Sequence, residues 1–196
     1  MRLLPSGDTA VLLECRDAAE ARVWAALLGE HVRVTLGAQT VLIQANRLEA
    51  QRLITELEHT STVPIQGKQP RQHLLEVSYD GPDLARVAEH TGLSHDEIIE
   101  IHPSTVLTVG FSGFAPGFAS LVDGDSRLAV PRLDTPRPHV AAGSVALAGA
   151  FSGIYPRASA GGWLIIGHTR EWLWDLERDQ PARLQPGDSV RFEAIG

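Results

Sequence analysis

The chain has 196 residues, 43% of them apolar and 21% charged, with a formal charge of −7. These values suit one large globular domain or two small ones and argue against global disorder. The acidic balance and the absence of any basic run argue against an extended nucleic-acid footprint, and with Lys68 as the only lysine a Schiff-base or phosphate-binding lysine is disfavoured.

Cys15 is the only cysteine, which excludes an internal disulfide and a thiolate metal cluster within one chain. Its apolar neighbours read as a strand, so a buried, inert thiol is expected. No apolar run approaches the length of a membrane span, the N-terminus lacks a signal-peptide core, and a cytoplasmic location is expected.

Thr9–Cys15 reads as a strand. Asp17 is placed to cap a helix in which Ala21, Trp24 and Leu28 share one face. Val32–Leu36 and Thr40–Ala45 read as a hairpin about Gly37-Ala38-Gln39. Asn46 then caps a helix carrying Ala50, Leu53, Ile54 and Leu57 on one face, a connector covers Pro64–Gln72, and Leu74–Tyr79 is a further strand. The order β-α-β-β-α-β is that of a ferredoxin-like unit, which predicts a first domain over residues 1–79.

From residue 80 the pattern changes. Asp83–His90 reads as a helix stopped at Gly92, and Ser94 with Glu97 forms a capping-box pattern for a second, ended by Pro103. Val106–Val109, Ser144–Leu147, Trp163–Ile166, Trp172–Leu176 and Ser189–Ala194 read as short strands. Tight turns separate them, which predicts a β-barrel over residues 80–196 and an α+β chain overall. Ten of the 18 glycines and five of the 12 prolines fall in Gly110–Thr169. Such punctuation builds either tight corners or a site.

Within this stretch, Phe114 and Phe118 flank a Pro-Gly turn, and they read as a rigid aromatic lip or as two core rings on a type II turn. Arg132 and Arg137 each follow a proline; a guanidinium fork there suits a carboxylate or phosphate, or a solvated loop beside Asp134. Gly143-Ser144 and Gly161-Gly162-Trp163 permit close approach of a ligand or of another backbone segment, and Tyr155 offers a hydroxyl donor. His102, His139 and His168 are candidates for proton transfer or for structural roles. No phosphate-binding P-loop, zinc-type histidine spacing or nucleophile elbow is present.

The ordered set GDTAV, DLARVAEHTGLSHDEIIEIH, GFAPGF, PRLDTPR, AGSVALAG, SGIYP, SAGGW and IIGHT resembles the family of 5-oxoprolinase B-type subunits, also called allophanate hydrolase subunit 1 and kinase-A inhibitor. The resemblance spans nearly the whole chain. It implies an α/β domain followed by a cyclophilin-like barrel. It also implies a partner, the C-type subunit of 5-oxoprolinase (allophanate hydrolase subunit 2). With a third, A-type protein, such pairs open 5-oxoproline to glutamate using ATP, with Mg2+ expected beside it. Relatives act in urea carboxylase, and another inhibits a histidine kinase by binding it. The resemblance therefore implies a non-autonomous hydrolase subunit, with the ATP site shared with or on the partner. An allophanate hydrolase or urea carboxylase-related subunit, a kinase-inhibitor-like binding protein and a prolyl isomerase are the rival readings.

On this reading Arg132 and Arg137 bind an anion. His102, Tyr155 and His168 are the polar or proton-transfer groups, and Phe114, Phe118 and Trp163 wall the site. Gly143, Ser144, Gly161 and Gly162 line it. The chain departs from the family pattern at Pro103, Ala141, Phe151, Ala160 and His168. Phe151 and His168 stand where the family usually has an amide side chain and an arginine.

Overall fold

In the computed structural model, which describes residues 2–60 and 70–195, the chain divides into two units, Met1–Gln69 and Pro70–Gly196. The first runs β1 (Arg2–Pro5), β2 (Val11–Glu14), α1 (Ala18–Gly29), β3 (Val34–Leu36), β4 (Thr40–Ile43) and α2 (Arg47–Thr60). The strands form one antiparallel sheet in the order β1-β2-β4-β3. Alternation puts Val11, Leu13, Val41 and Ile43 into one core with Ala21, Trp24 and Leu28 of α1 and Ala50 and Ile54 of α2. Both helix starts carry the expected caps: the Asp17 carboxylate accepts from the Glu20 N–H at 2.8 Å, and Asn46 Oδ1 accepts from the Glu49 N–H at 3.0 Å. Cys15 is half-buried beside this core, and burial, with Glu20 adding to it, pushes its thiol pKa up. The connector Pro64–Gln72 lies largely outside the described residues, as do Lys68 and the side chain of Leu57.

The element order differs from the β-α-β-β-α-β reading in one strand. The fourth strand of this sheet is β1, four residues at the N-terminus with Leu3 against the core. The strand read at Leu74–Tyr79 is β5 (Gln72–Ser78), and it belongs to the second unit. The division thus falls at Gln69 rather than at residue 79. The physical reason is pairing: β5 runs parallel to the last strand of the chain along its whole length, Ser189↔Gln72 to Ile195↔Ser78.

The second unit continues with α3 (Leu84–Thr91), α4 (His95–Ser104), β6 (Leu107–Ser112), β7 (Ala119–Val122) and a 3-10 turn (Ser126–Leu128). Then follow β8 (Arg137–Val140), β9 (Ser144–Ala148), β10 (Phe151–Ile154), β11 (Ser159–Gly161), β12 (Leu164–His168) and β13 (Ser189–Ile195). Seven strands close a barrel in the order β10-β7-β6-β13-β5-β12-β9, and β8 and β11 pair as a separate ribbon. One cluster draws residues from all seven barrel strands, among them Val77, Val109, Leu121, Leu147, Ile154 and Phe192, so it fills the lumen. The alternate positions Ala146, Ala148, Tyr155 and Ile165 pack outward with Phe118, Val140 and Trp163. Val140 places the β8–β11 ribbon on that outer face.

Asp83, at the start of α3 and 1% exposed, fixes the ribbon. One carboxylate oxygen accepts from Arg137 Nη2 at 2.6 Å and the other from the Ile165 N–H at 2.7 Å. The Ser94–Glu97 capping box forms reciprocally, at 3.2 and 2.8 Å. α4 runs one residue past Pro103, and the Ile101 carbonyl accepts from the Ser104 and Thr105 hydroxyls there. Trp172–Leu176, read as a strand, is irregular; its single bridge is Trp174↔Ala182, and Trp172 and Leu176 are exposed.

Candidate functional site

The segment after β6 makes two consecutive tight turns. The Ala115 N–H donates to the Gly113 carbonyl at 2.8 Å, closing a γ-turn about Phe114, whose φ is +68°. A bulky residue rarely adopts that conformation, so the lip stores backbone strain at Phe114. Next, the Phe118 N–H donates to the Ala115 carbonyl at 3.0 Å across Pro116-Gly117, with Gly117 at φ +82°. That is a type II turn, as the Pro-Gly pair predicts. The two turns send the rings apart: Phe118 is buried and Phe114 is 70% exposed.

Beneath this lip the outer face of the barrel is hollowed into a cavity of about 440 Å3. Its walls are aromatic. The Phe118 ring meets Phe114, Tyr155 and Trp163 edge-on, each with centroids 5.4 Å away. Phe111 and Phe151 form a further edge-to-face pair at 5.9 Å. The remaining walls are Pro136, Ala160 and the Gly161-Gly162 edge of β11. Polar groups are few: Ser120, the Tyr155 hydroxyl and Arg132.

Arg132 is exposed and stacks over Trp163 with its guanidinium carbon 5.8 Å from the ring centroid. Tyr155 sits behind the aromatic wall, 1% exposed. Burial raises its phenol pKa, while the Trp163 N–H that it accepts and the nearby Arg132 and Arg137 cations oppose that rise. The hydroxyl therefore stays protonated at neutral pH and can donate. Gly161 is required beside it, because a Cβ there would run into the Tyr155 hydroxyl.

Seven of the residues singled out from sequence thus share one cavity: Phe114, Phe118 and Trp163 as walls, Arg132 and Tyr155 as polar groups, Gly161 and Gly162 as a bare edge. The other six lie elsewhere, among them His139, exposed on β8. His102 faces the lumen. It is 2% exposed, bonds the Tyr79 hydroxyl through Nδ1 at 2.7 Å and Ser152 Oγ through Nε2 at 2.9 Å, and stacks on Phe192. Burial pushes its pKa down to about 3. A proton-transfer role at this cavity is thereby replaced by a neutral plug of the barrel end. His168 is exposed and bonded to Asp80 at 2.7 Å, at the end of β12 and outside the cavity lining.

Arg137 donates through Nη2 to Asp83 Oδ1 at 2.6 Å, which holds the ribbon, and it acts on Tyr155 through its charge. Gly143, at φ +81°, lies where a Cβ would meet the Thr169 carbonyl, and its N–H donates to the Tyr155 carbonyl at 2.7 Å. Its amide is thus taken up by the fold, and Ser144 is buried in β9. Phe111, Ser120 and Pro136 line the cavity without having been singled out. Phe111 and Ser120 alternate on strands where core and cavity positions carry the same residue types.

The carboxyltransferase domain family, subdomains C and D, matches residues 1–184. The 5-oxoprolinase B-type subunit of Haemophilus influenzae is 34% identical over the whole chain and 99% of its own length. The chain belongs to the family of 5-oxoprolinase B-type subunits. The corresponding proteins of Escherichia coli O157:H7 and Bacillus subtilis, under the same name, are 51% and 44% identical over 57% and 59% of this chain, and the matched segments span about half of those proteins, 51% and 48%. Among solved structures, the uncharacterized protein PH0987 of Pyrococcus horikoshii is 32% identical, with a TM-score of 0.61 over 99% of this chain and 97% of its own. TTHA0988 is 32% identical with a TM-score of 0.78 over 95% of this chain and 39% of its own. Urea carboxylase of Kluyveromyces lactis, 17% identical, shares the fold with a TM-score of 0.75 over 99% of this chain and 22% of its own.

Of the two marked departures from the usual family pattern, Phe151 stands inside the cavity and His168 outside it. Phe151 adds a ring to the cavity wall, and His168 is paired with Asp80 at the surface.

Proposed function

We propose that this chain is a non-autonomous subunit of an ATP-dependent hydrolase of cyclic amides, of the 5-oxoprolinase type, and that the aromatic cavity is its share of the substrate site. The observation that carries the reading is the convergence of Arg132, the Tyr155 hydroxyl and the walls formed by Phe111, Phe114, Phe118, Phe151 and Trp163 on one cavity in a chain of this family. Flat rings bind flat rings, and Arg132, the only cation lining the cavity among the described residues, is placed to pair with a ring carboxylate. Tyr155 would donate to the amide oxygen, whose charge grows as the bond is activated. The walls would exclude water until the ring is committed.

Among the described residues, the lining of this cavity does not by itself fit a nucleotide and its Mg2+, since it carries no carboxylate and a single cation. Among the described residues no group of three or more His, Cys, Asp or Glu is placed to hold a metal ion, and the cavity carries one arginine and no lysine. The proposal therefore assigns phosphoryl transfer to the C-type and A-type partners, and leaves this chain to bind and orient the amide.

The test is reconstitution. The chain alone should give no ATP-dependent glutamate from 5-oxoproline, and the mixture of all three proteins should. Arg132→Met should raise KM about tenfold or more while the complex still assembles on a sizing column. Robust turnover by the isolated chain, or an Arg132→Met complex with unchanged KM, would sink the proposal.

A further inference from the structure

The cavity is larger and more apolar than 5-oxoproline requires. At about 440 Å3 it falls within the range of about 300–1,000 Å3 that takes drug-sized ligands, whereas 5-oxoproline is a single small ring. Its polar groups are Arg132 over Trp163, the Tyr155 hydroxyl, and the Ser120 hydroxyl on β7 opposite Phe111. The Phe111–Phe151 pair forms a second, separate aromatic wall. None of the described lining residues is acidic, so nothing repels an anion and nothing beyond Arg132 neutralises one.

A ligand that met only Arg132 and Tyr155 would leave the Phe111–Phe151 wall against water. Filling that wall needs an apolar group on the same molecule. The two rings offer no hydrogen bond and the one hydroxyl beside them is Ser120, opposite Phe111 in the β6–β7 register, so a substituent with several polar atoms would lose water that this wall cannot replace. We infer that the site takes a monoanionic small-ring amide bearing an apolar, preferably aromatic, substituent, with Phe151 as the specificity-determining residue. The ring-amide part rests on the hydrolase reading; the preference for an apolar anion rests on the cavity alone.

The experiment measures binding to the isolated full chain by tryptophan fluorescence and calorimetry, using a ring-phenylated 5-oxoproline, its methyl ester and 5-oxoproline itself. The phenylated acid should bind at least tenfold tighter than 5-oxoproline, as expected for burying one phenyl group. The ester should lose tenfold or more through Arg132. Phe151→Gln should erase the phenyl advantage, Phe151→Leu should keep most of it, and thermal melts should show both variants folded. Equal binding of the two acids, or a phenyl advantage that Phe151→Gln leaves intact, overturns the inference.

The reconstituted complex separates the two claims. If it hydrolyses neither acid while the binding pattern holds, the hydrolase reading fails and the cavity preference stands. If it hydrolyses 5-oxoproline tenfold more efficiently than the phenylated acid, the preference fails and the hydrolase reading stands.

Discussion

His102 couples the stability of the barrel to pH. It is buried against Phe192 between Tyr79 and Ser152, and its pKa is held down to about 3. In the unfolded chain the same side chain titrates near 6.5. Between these values the unfolded state binds a proton that the folded state refuses. Stability should therefore fall as pH drops below about 6.5, by up to about 1.4 kcal/mol per pH unit from this group. His102→Gln keeps a polar side chain facing Tyr79 and Ser152 but cannot titrate. It should cost about 1–3 kcal/mol at pH 7 through lost stacking and packing, and the cost should shrink as pH falls to 4.5. Urea melts at both pH values check this; a cost that stays constant across the range would contradict it. The sequence shows a histidine at a helix end beside a proline, and such a residue reads the same whether it faces solvent or a lumen. Only the register of α4 over the barrel end decides, and that register is set by long-range packing.

At the level of elements, the Gly113–Phe118 lip shows what the sequence does convey. The type II turn follows from Pro-Gly alone. Which phenylalanine turns inward does not, because both are equally apolar and only the γ-turn at Phe114 separates them. The short strands β7, β8, β10 and β11 are likewise illegible. They have three or four residues each, β8, β10 and β11 are interrupted by glycine or proline, and all four exist because neighbouring strands or the Asp83–Arg137 contact hold them. The two rings should answer differently to substitution. Phe114→Gly relieves left-handed strain of about 1–2 kcal/mol and gives back about 0.5–1 kcal/mol in chain entropy. It should leave stability unchanged or up to about 1 kcal/mol higher while weakening ligand binding. Phe118→Ala removes a ring that touches three others and should cost about 3–5 kcal/mol. Denaturant melts beside ligand titrations test the contrast; a Phe114→Gly protein destabilised as much as Phe118→Ala would refute the strain at the lip.

Across the whole second unit, the pairing that is longest in sequence closes the barrel between β5 and β13. They run parallel, so the chain between them, residues 79–188, acts as their crossover, and bringing them together costs the corresponding loop entropy. The sequence shows both strands but not their pairing, which is why β5 reads as the end of the first domain. The junction is pinned at Asp188, 5% exposed, in the turn that starts β13. Its carboxylate accepts from the Arg71 N–H at 3.0 Å, from Arg71 Nη2 at 2.9 Å, from His73 Nε2 at 2.9 Å and from the Gln185 N–H at 3.1 Å. Burial alone would raise its pKa; the His73 and Arg71 hydrogen bonds outweigh it and hold the group below its ordinary value. A depressed carboxylate stabilises the fold fully above its unfolded pKa, near 3.9, and loses that contribution as pH falls through the folded value. Asp188→Asn keeps the shape but places an NH2 where a carboxylate oxygen accepts from N–H donors. It should cost about 2–3 kcal/mol at pH 7, less than a fully buried pair because Arg71 is 39% exposed. The cost should be no smaller at pH 5, since both values lie above the carboxylate's titration and His73 faces the same oxygen, and should narrow only below about pH 4. The His102 effect occupies the window from about 6.5 downward, so the two substitutions separate two acid transitions of one barrel. Equilibrium urea unfolding of wild type, Asp188→Asn, His102→Gln and the double variant at pH 7, 5 and 3 resolves them. An Asp188→Asn cost already halved at pH 5 would mean that the strand junction is not the carboxylate-held clasp described above.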